Sequence, residues 1–301
     1  MDRRQFLAAG GTFGAAIAGG CVGCATAPSL WLSMEETSDD DITDRLTETV
    51  HPDVDSHRVA IEAIDGPVPA NGTTEPFDTD TPYRYNNTVY TAETTVLDEQ
   101  PGTTFSYGIN PVDGDETVPS EHQIGYEDLP SVDKEAFSDR GWDAPDPFLG
   151  YRTSVHYLEE NIANSVLVSE PGYEVIVWPE TRGRFEVNDQ VDQPLTTYEY
   201  TTEVVADPAA GYGREVRQHI EFELGPFHGD SRTIVEEAIA DPPYTVPAGG
   251  ELSEGETAVV DQFRGEEQLR RLNGPQRDPE LASGRYLPRY DGQIYLAEVV
   301  G

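Results

Sequence analysis

Hydrophobic and polar positions change pattern sharply at the start of this chain. Arg3 and Arg4 precede Gln5-Phe6-Leu7, and Ala8 to Gly20 then carries only small or apolar residues beside one Thr. This run is shorter than the roughly 20 apolar residues a helix needs to cross the hydrocarbon core, so it predicts a signal peptide over residues 1–20 rather than a span. From Ala25 to about Asp53 apolar positions thin out around Glu35-Glu36-Thr37-Ser38-Asp39-Asp40-Asp41. That stretch predicts a solvated acidic spacer over 21–53, holding at most a short helix near Ile42 to Val50.

The first folded signal is Asp55 to Ile64, where Val59, Ala60, Ala63 and Ile64 fall on one helical face. Asp55 or Ser56 is placed to cap this helix and Gly66-Pro67 to stop it. Tyr83 to Glu93 alternates as a hairpin, with Asn86-Asn87 at the two turn positions that need positive φ. The two-residue turn sets Tyr83 opposite Tyr90 and Tyr85 opposite Thr88, leaving Arg84, Val89, Thr91 and Glu93 on the other face.

Both elements recur near the carboxyl end. Asp230 to Ile239 aligns without gaps on Asp55 to Ile64, and Arg289 to Glu298 on Arg84 to Glu93. The second copy is longer by about 30 residues between helix and hairpin, and those residues predict another helix from Glu256 to Leu272, ended by Asn273-Gly274-Pro275. The middle is strand-rich: Phe105–Ile109, Gln123–Leu129, a hairpin over Tyr173–Val187, Tyr198–Val205 and Glu215–Leu224, with a short helix at Ser131–Phe137 and an ambiguous Tyr151–Val168. Tyr200-Thr201-Thr202-Glu203 echoes the strands after Tyr90 and Tyr295, a spacing that would suit a third unit. The expected class is α+β, with duplicated helix-loop-hairpin units at 54–98 and 226–301 flanking a β-rich centre at 99–225.

Composition changes the picture of the solvent. The chain has 57 acidic residues against 19 basic ones, a net charge of −38, and Lys134 is its only lysine. Such a surface resembles that of proteins from extreme halophiles, whose carboxylates stay hydrated where about 1 M salt shrinks the Debye length to roughly 3 Å. Acidity of this kind also suits a calcium sink or a cationic partner, and it argues against nucleic acid as a partner.

Candidate chemistry is concentrated in the leader. Arg3, Arg4, Phe6 and Leu7 resemble the twin-arginine export signal, and the small residues before Cys21 resemble a lipobox, which implies a lipid on Cys21 and a membrane partner. The alternative is ordinary cleavage followed by a free stub. Cys24 completes a C-x-x-C spacing but has no second pair, and no cysteine follows it. The helix together with Arg289-Tyr290-Asp291-Gly292-Gln293-Ile294-Tyr295 resembles the helix and RYDGxxY-hairpin modules of exported haloarchaeal lipoproteins of unassigned function. That resemblance implies an address and a fold unit, and no catalytic residue.

Elsewhere the signals are thinner. The histidines at 51, 57, 122, 156, 219 and 228 lack metal-ligand spacing, so no metal and no cofactor are expected. His228-Gly229-Asp230-Ser231 gathers triad-type residues, although Asp230 and Ser231 already suit a helix cap. Asp78-Thr79-Asp80 and Asp113-Gly114-Asp115-Glu116 offer oxygen ligands without an EF-hand loop pattern. Arg84, Glu93, Arg289 and Glu298 repeat in register, as a binding set or as a structural pattern. Asn71 and Asn86 open glycosylation sequons. The expectation is a membrane-tethered extracellular protein that binds a ligand or envelope partner. An extracellular hydrolase with dispersed acids and a solute-capture protein are the alternatives.

The charge count carries a prediction. The folded body should lose stability as salt is withdrawn, and thermal unfolding compared in molar KCl and in dilute buffer should show a much lower Tm in the latter; equal values would refute halophilic design.

Overall fold

The computed structural model describes residues 27–113, 116–138, 141–168, 172–271 and 282–301. They form an α+β fold in two compact units: unit 1 joins residues up to Thr37 with His219–Gly301, and unit 2 is Ser38–Gln218. In chain order the first half runs β1 (Leu30–Glu36), α1 (Asp39–Leu46), β2 (Glu48–Thr49), α2 (Asp55–Glu62), β3 (Val68–Gly72), β4 (Tyr83–Tyr85) and β5 (Thr88–Gln100). An insert follows: β6 (Gly102–Pro111), β7 (Gln123–Gly125), α3 (Ser131–Ser138), β8 (Tyr151–Leu158), α4 (Glu159–Ile162), β9 (Val175–Val177) and β10 (Arg182–Asp192). The last part is β11 (Leu195–Ala206), α5 (Ala210–Ile220), β12 (Phe222–Glu223), α6 (Asp230–Ala240), β13 (Tyr244–Val246), α7 (Glu254–Asp261), β14 (Gly284–Tyr286), β15 (Pro288–Tyr290) and β16 (Gln293–Val300).

Two of the three sheets are copies of one another. Their strand orders are β2-β4-β5-β11-β3 in unit 2 and β12-β15-β16-β1-β13 in unit 1, with β14 added beside β16. The short first strand is parallel to its neighbour in both, and every other pair on the two paths is antiparallel. Each copy contains a strand from the other half of the chain. β1 leads the first repeat but pairs with β16 and β13, while β11 leads the second repeat but pairs with β5 and β3. The registers match: Leu32 lies between Tyr244 and Val299, and Tyr200 between Val68 and Thr94. Val299 and Thr94 each follow the repeated glutamate, Glu298 or Glu93, and Tyr244 and Val68 each open the strand after the repeated helix. Leu32 and Tyr200 are both fully buried.

The hairpins form with the expected register, Tyr83 against Tyr90 and Tyr85 against Thr88, and the two tyrosine rings stack at 5.5 Å. Asn86 and Asn87 have φ of 47° and 65°, and Asp291 and Gly292 of 46° and 82°, the two positive values of a type I′ turn. A third unit is absent among the described residues: the echo at Tyr200 is β11, which serves the first sheet.

Other expectations are corrected. The spacer over 21–53 instead holds β1, central in its sheet with Leu30, Leu32 and Met34 buried, and α1, closed by a capping box between Ser38 and Asp41. The acidic run hid a two-residue apolar period. The helices α2 and α6 begin at Asp55 and Asp230, with Val54 and Gly229 at the cap and no side-chain cap bond, so the proposed Asp/Ser caps are not made. Glu215–Leu224 is not one strand: α5 runs to Ile220, with Tyr212, Val216 and Ile220 recurring every fourth residue and buried, and only Phe222–Glu223 is extended, as β12. Gly213 lets α5 approach α1, since a Cβ there would lie 1.9 Å from the Asp39 carbonyl oxygen. The helix expected over Glu256–Leu272 stops at Asp261, and Gly265 follows at φ +84°.

The insert forms its own five-stranded sheet, β7-β9-β10-β6-β8, around Tyr107, Phe137, Trp142 and Phe185. It joins the first sheet through one continuous two-stranded ribbon. β5 passes through Pro101 into β6, β10 passes through Gln193-Pro194 into β11, and the strands stay antiparallel throughout, with Gln100 facing Leu195 and Thr103 facing Asp192. Proline at both crossings withholds ladder donors where the ribbon leaves one sheet for the other. The Gln193 N–H still donates to the Gly102 carbonyl at 2.9 Å.

Leu32→Ala tests the corrected role of β1. It should destabilise unit 1 by about 2–5 kcal/mol, because it leaves a cavity in a closed core; denaturant unfolding in molar salt reads this, and a silent change would mark residues 30–36 as spacer after all.

Candidate functional site

The leader residues Arg3, Arg4, Phe6, Leu7 and Cys21, with Cys24, lie outside the described residues, as do Asp115, Leu272 and Asn273-Gly274-Pro275. The repeated charged set is described in full, and the fold does not assemble it. Arg84 reaches from β4 to α1, where it pairs with Asp44 and with Asp40 at 3.0 Å, and it donates to Asn87 Oδ1 at 3.1 Å. Burial opposes its charge, and the Asp44 and Asp40 carboxylates outweigh that, so its pKa rises. Glu93 is exposed on β5 opposite Thr201. In the second copy Arg289 donates to Glu221 Oε1 at 3.1 Å and lies 3.6 Å from Glu223, while Glu298 is 3.5 Å from Arg285. Each repeated arginine thus clasps carboxylates from the segment just before the repeated helix, and neither meets the repeated glutamate of its copy.

An open cleft of about 500 Å³ lies beside Arg84, lined also by Asp40, Asp44, His51 and the Asn86-Asn87 turn. Near it the His51 N–H donates to His57 Nδ1 at 3.0 Å, which leaves the proton on Nε2, 3.0 Å from Glu48 Oε1. His57 thereby ties α2 to β2. Asn86 is exposed at the hairpin tip, and Asn71 is exposed on the edge strand β3. A second open cleft, about 590 Å³, sits at the ribbon crossing, between Glu99, Glu159, Asp192 and Pro101. Its carboxylates attract cations, an attraction that molar salt screens.

His228, Gly229 and Asp230 are exposed at the start of α6. Asp78 is occupied by the Asp80 N–H at 2.9 Å and by Thr81. No group of three or more potential metal ligands occurs among the described residues.

Two carboxylates that sequence reasoning passed over are closely organised. Asp133 is fully buried in the insert, accepting from Tyr157 Oη at 2.9 Å, Ser165 Oγ at 2.6 Å and the Val166 N–H at 3.0 Å. Burial, then the charge of Asp133, pushes the Tyr157 phenol upward, which keeps it a donor. Asp39 accepts from Arg217 Nε at 2.6 Å and Arg214 Nε at 3.3 Å. The Arg217 bond, against the opposing effect of burial, holds its carboxyl below the ordinary value. Nothing local signals either residue: Asp39 is one of three consecutive aspartates, and the partners of Asp133 lie 24 or more positions away in sequence.

No protein-family model, curated protein or solved structure matches the chain.

The Asp39 clasp gives a pH prediction. Its folded-state pKa is lowered, so its contribution is present above the ordinary carboxyl value and is lost as pH falls through the folded one. Asp39→Asn should be less stable than the wild type at neutral pH, and the gap should close below about pH 4. Denaturant unfolding of both proteins across that range checks it; a gap independent of pH would remove the ion pair as the cause.

Proposed function

We propose that this chain is an exported lipoprotein of a halophile, anchored through Cys21 to the outer face of the cell membrane and working there by binding a ligand or envelope partner. The observation that carries the reading is the leader, with Arg3-Arg4-Gln5-Phe6-Leu7, an uncharged run and small residues before Cys21.

The topology supports the folded-transport part of it. β1 pairs with β16 at residues 293–300, so the strand nearest the leader finds its place only after nearly all of the chain has been made. Folding is therefore completed before export or after it, never progressively from the leader end. A twin-arginine route, which carries folded cargo, suits such a chain. Arg84 and Arg289 are committed to the chain's own carboxylates, so an anionic ligand would have to displace two acids at either. Recognition by the neutral and acidic surface fits better than recognition by these arginines.

Cell fractionation in native salt tests the reading. Wild-type protein should sit in the membrane fraction with a mass increased by lipid. Cys21→Ser should release it, and the double change Arg3→Lys, Arg4→Lys should hold it inside with the leader uncut. Crosslinking on intact cells then names the partner. Wild-type protein found in the cytoplasm with an intact leader would overturn the proposal.

A further inference from the structure

Although the chain is 25% charged, the end of the unit 1 sheet where β1 begins is assembled from segments without charged side chains. They are Ala27–Met34, Pro242–Gly250, Ala282–Gly284 and Val299–Gly301. Strand register brings them together: Leu30 faces Val246, Trp31 lies between Thr245 and Val300, and Gly284 faces Val299. Leu30, Val246 and Val299 point into the core. Because neighbours across a ladder share a face, Thr245, Trp31 and Val300 point the other way. Trp31 is half-buried, Thr245 is exposed and Val300 is 39% exposed. Charge reappears on that face only at the next row but one from the end, where Glu298 beside Ser33 meets Arg285.

The geometry points to this neutral end, with Trp31 at its centre, as a face that docks on the lipid headgroup layer of the membrane. The inference rests on the lipid anchor proposed above. Eight residues lie between Cys21 and Leu30, and extended chain covers at most about 3.3–3.6 Å per residue, so the nine steps hold Leu30 within roughly 32 Å of the lipid-bearing residue. The tether thus enters the fold at its neutral end. A partly exposed tryptophan flanked by an exposed valine suits the interfacial layer, where an indole buries its ring and keeps its N–H wet. Surfaces crowded with carboxylates stay in water instead.

Trp31 can be read separately, since Trp142 and Trp178 are 1% and 3% exposed. The experiment uses the full lipidated chain on phosphatidylcholine vesicles in molar KCl, with part of the lipid replaced by phosphatidylcholine brominated on its acyl chains near the headgroup. The brominated lipid should dim the tryptophan emission of the wild type and leave W31F unchanged. Val300→Glu should weaken the dimming while the protein still floats with the vesicles. Protein that floats but shows no dimming overturns the docking and leaves the anchor standing. Trp31 shielded from acrylamide yet unquenched, with a doubled particle mass, assigns the face to a second copy and overturns it too. Protein without lipid mass that fails to float removes the anchor, and the docking with it.

Discussion

The structure depends on an exchange of strands. Each repeat sheet is complete only when a strand from the other half lies in its interior: β1 between β16 and β13, β11 between β5 and β3. Neither exchanged strand is an edge, so its removal would expose two rows of backbone donors and acceptors at once, along with Leu30, Leu32 and Met34 or Tyr200. Neither repeat can therefore close on its own residues. The exchange makes contacts of high sequence separation obligatory, which slows folding and couples the two halves, because loop closure must precede the ladder that rewards it. The insert obeys the same constraint, since one arm of the ribbon that carries it is the exchanged strand β11, paired with β5.

This exchange sets what was legible beforehand. The duplication, both helix starts to within a residue, both hairpin turns and the Tyr83–Tyr90 pairing were readable, because each depends on residues close in sequence. The identity of the strands beside β5 and β16 was not, since pairing between distant segments leaves no local mark. β1 was masked by composition: Glu35 to Asp41 belongs half to a strand end and half to a capped helix, yet reads as one solvated tract. On α5, Glu215–Leu224 was read as a strand, because the helical spacing is set from Tyr212 and the packing of Gly213 against α1 comes from residues distant in sequence. The repeated arginines were visible as a pattern and their partners were not, because Asp40, Asp44 and Glu221 lie outside the aligned segments.

A chain this acidic uses its few bases sparingly. Arg84, Arg184 and Arg289 each span two carboxylates, and Arg214 and Arg217 converge on Asp39. A guanidinium suits this work because its planar fork donates in several directions and keeps its charge, where an ammonium is a single hydrated point. In molar salt the exposed pairs contribute little, whereas partly buried ones such as Arg217–Asp39 are screened less. These contacts fix where short elements dock: Asp39, Asp40 and Asp44 hold α1, and Glu221 holds the start of β12. Asp133 is held instead by neutral donors in the core of the insert, Tyr157, Ser165 and the Val166 N–H.

The exchange also decides how a tether at Cys21 would load the fold. Pull applied there enters through β1, along the axis of an interior strand. β1 has six residues in register with β16 and three with β13, all antiparallel, so an axial force shears those pairs together instead of opening them in turn. An edge strand, or a hairpin pulled from one end, would unzip a pair at a time at lower force. The same exchange that delays folding would therefore give a tether at Cys21 a firm attachment. The segment that continues from β1 is α1, held through Asp39, Asp40 and Asp44, so the chain just beyond the loaded strand is clasped by ion pairs as well as by packing.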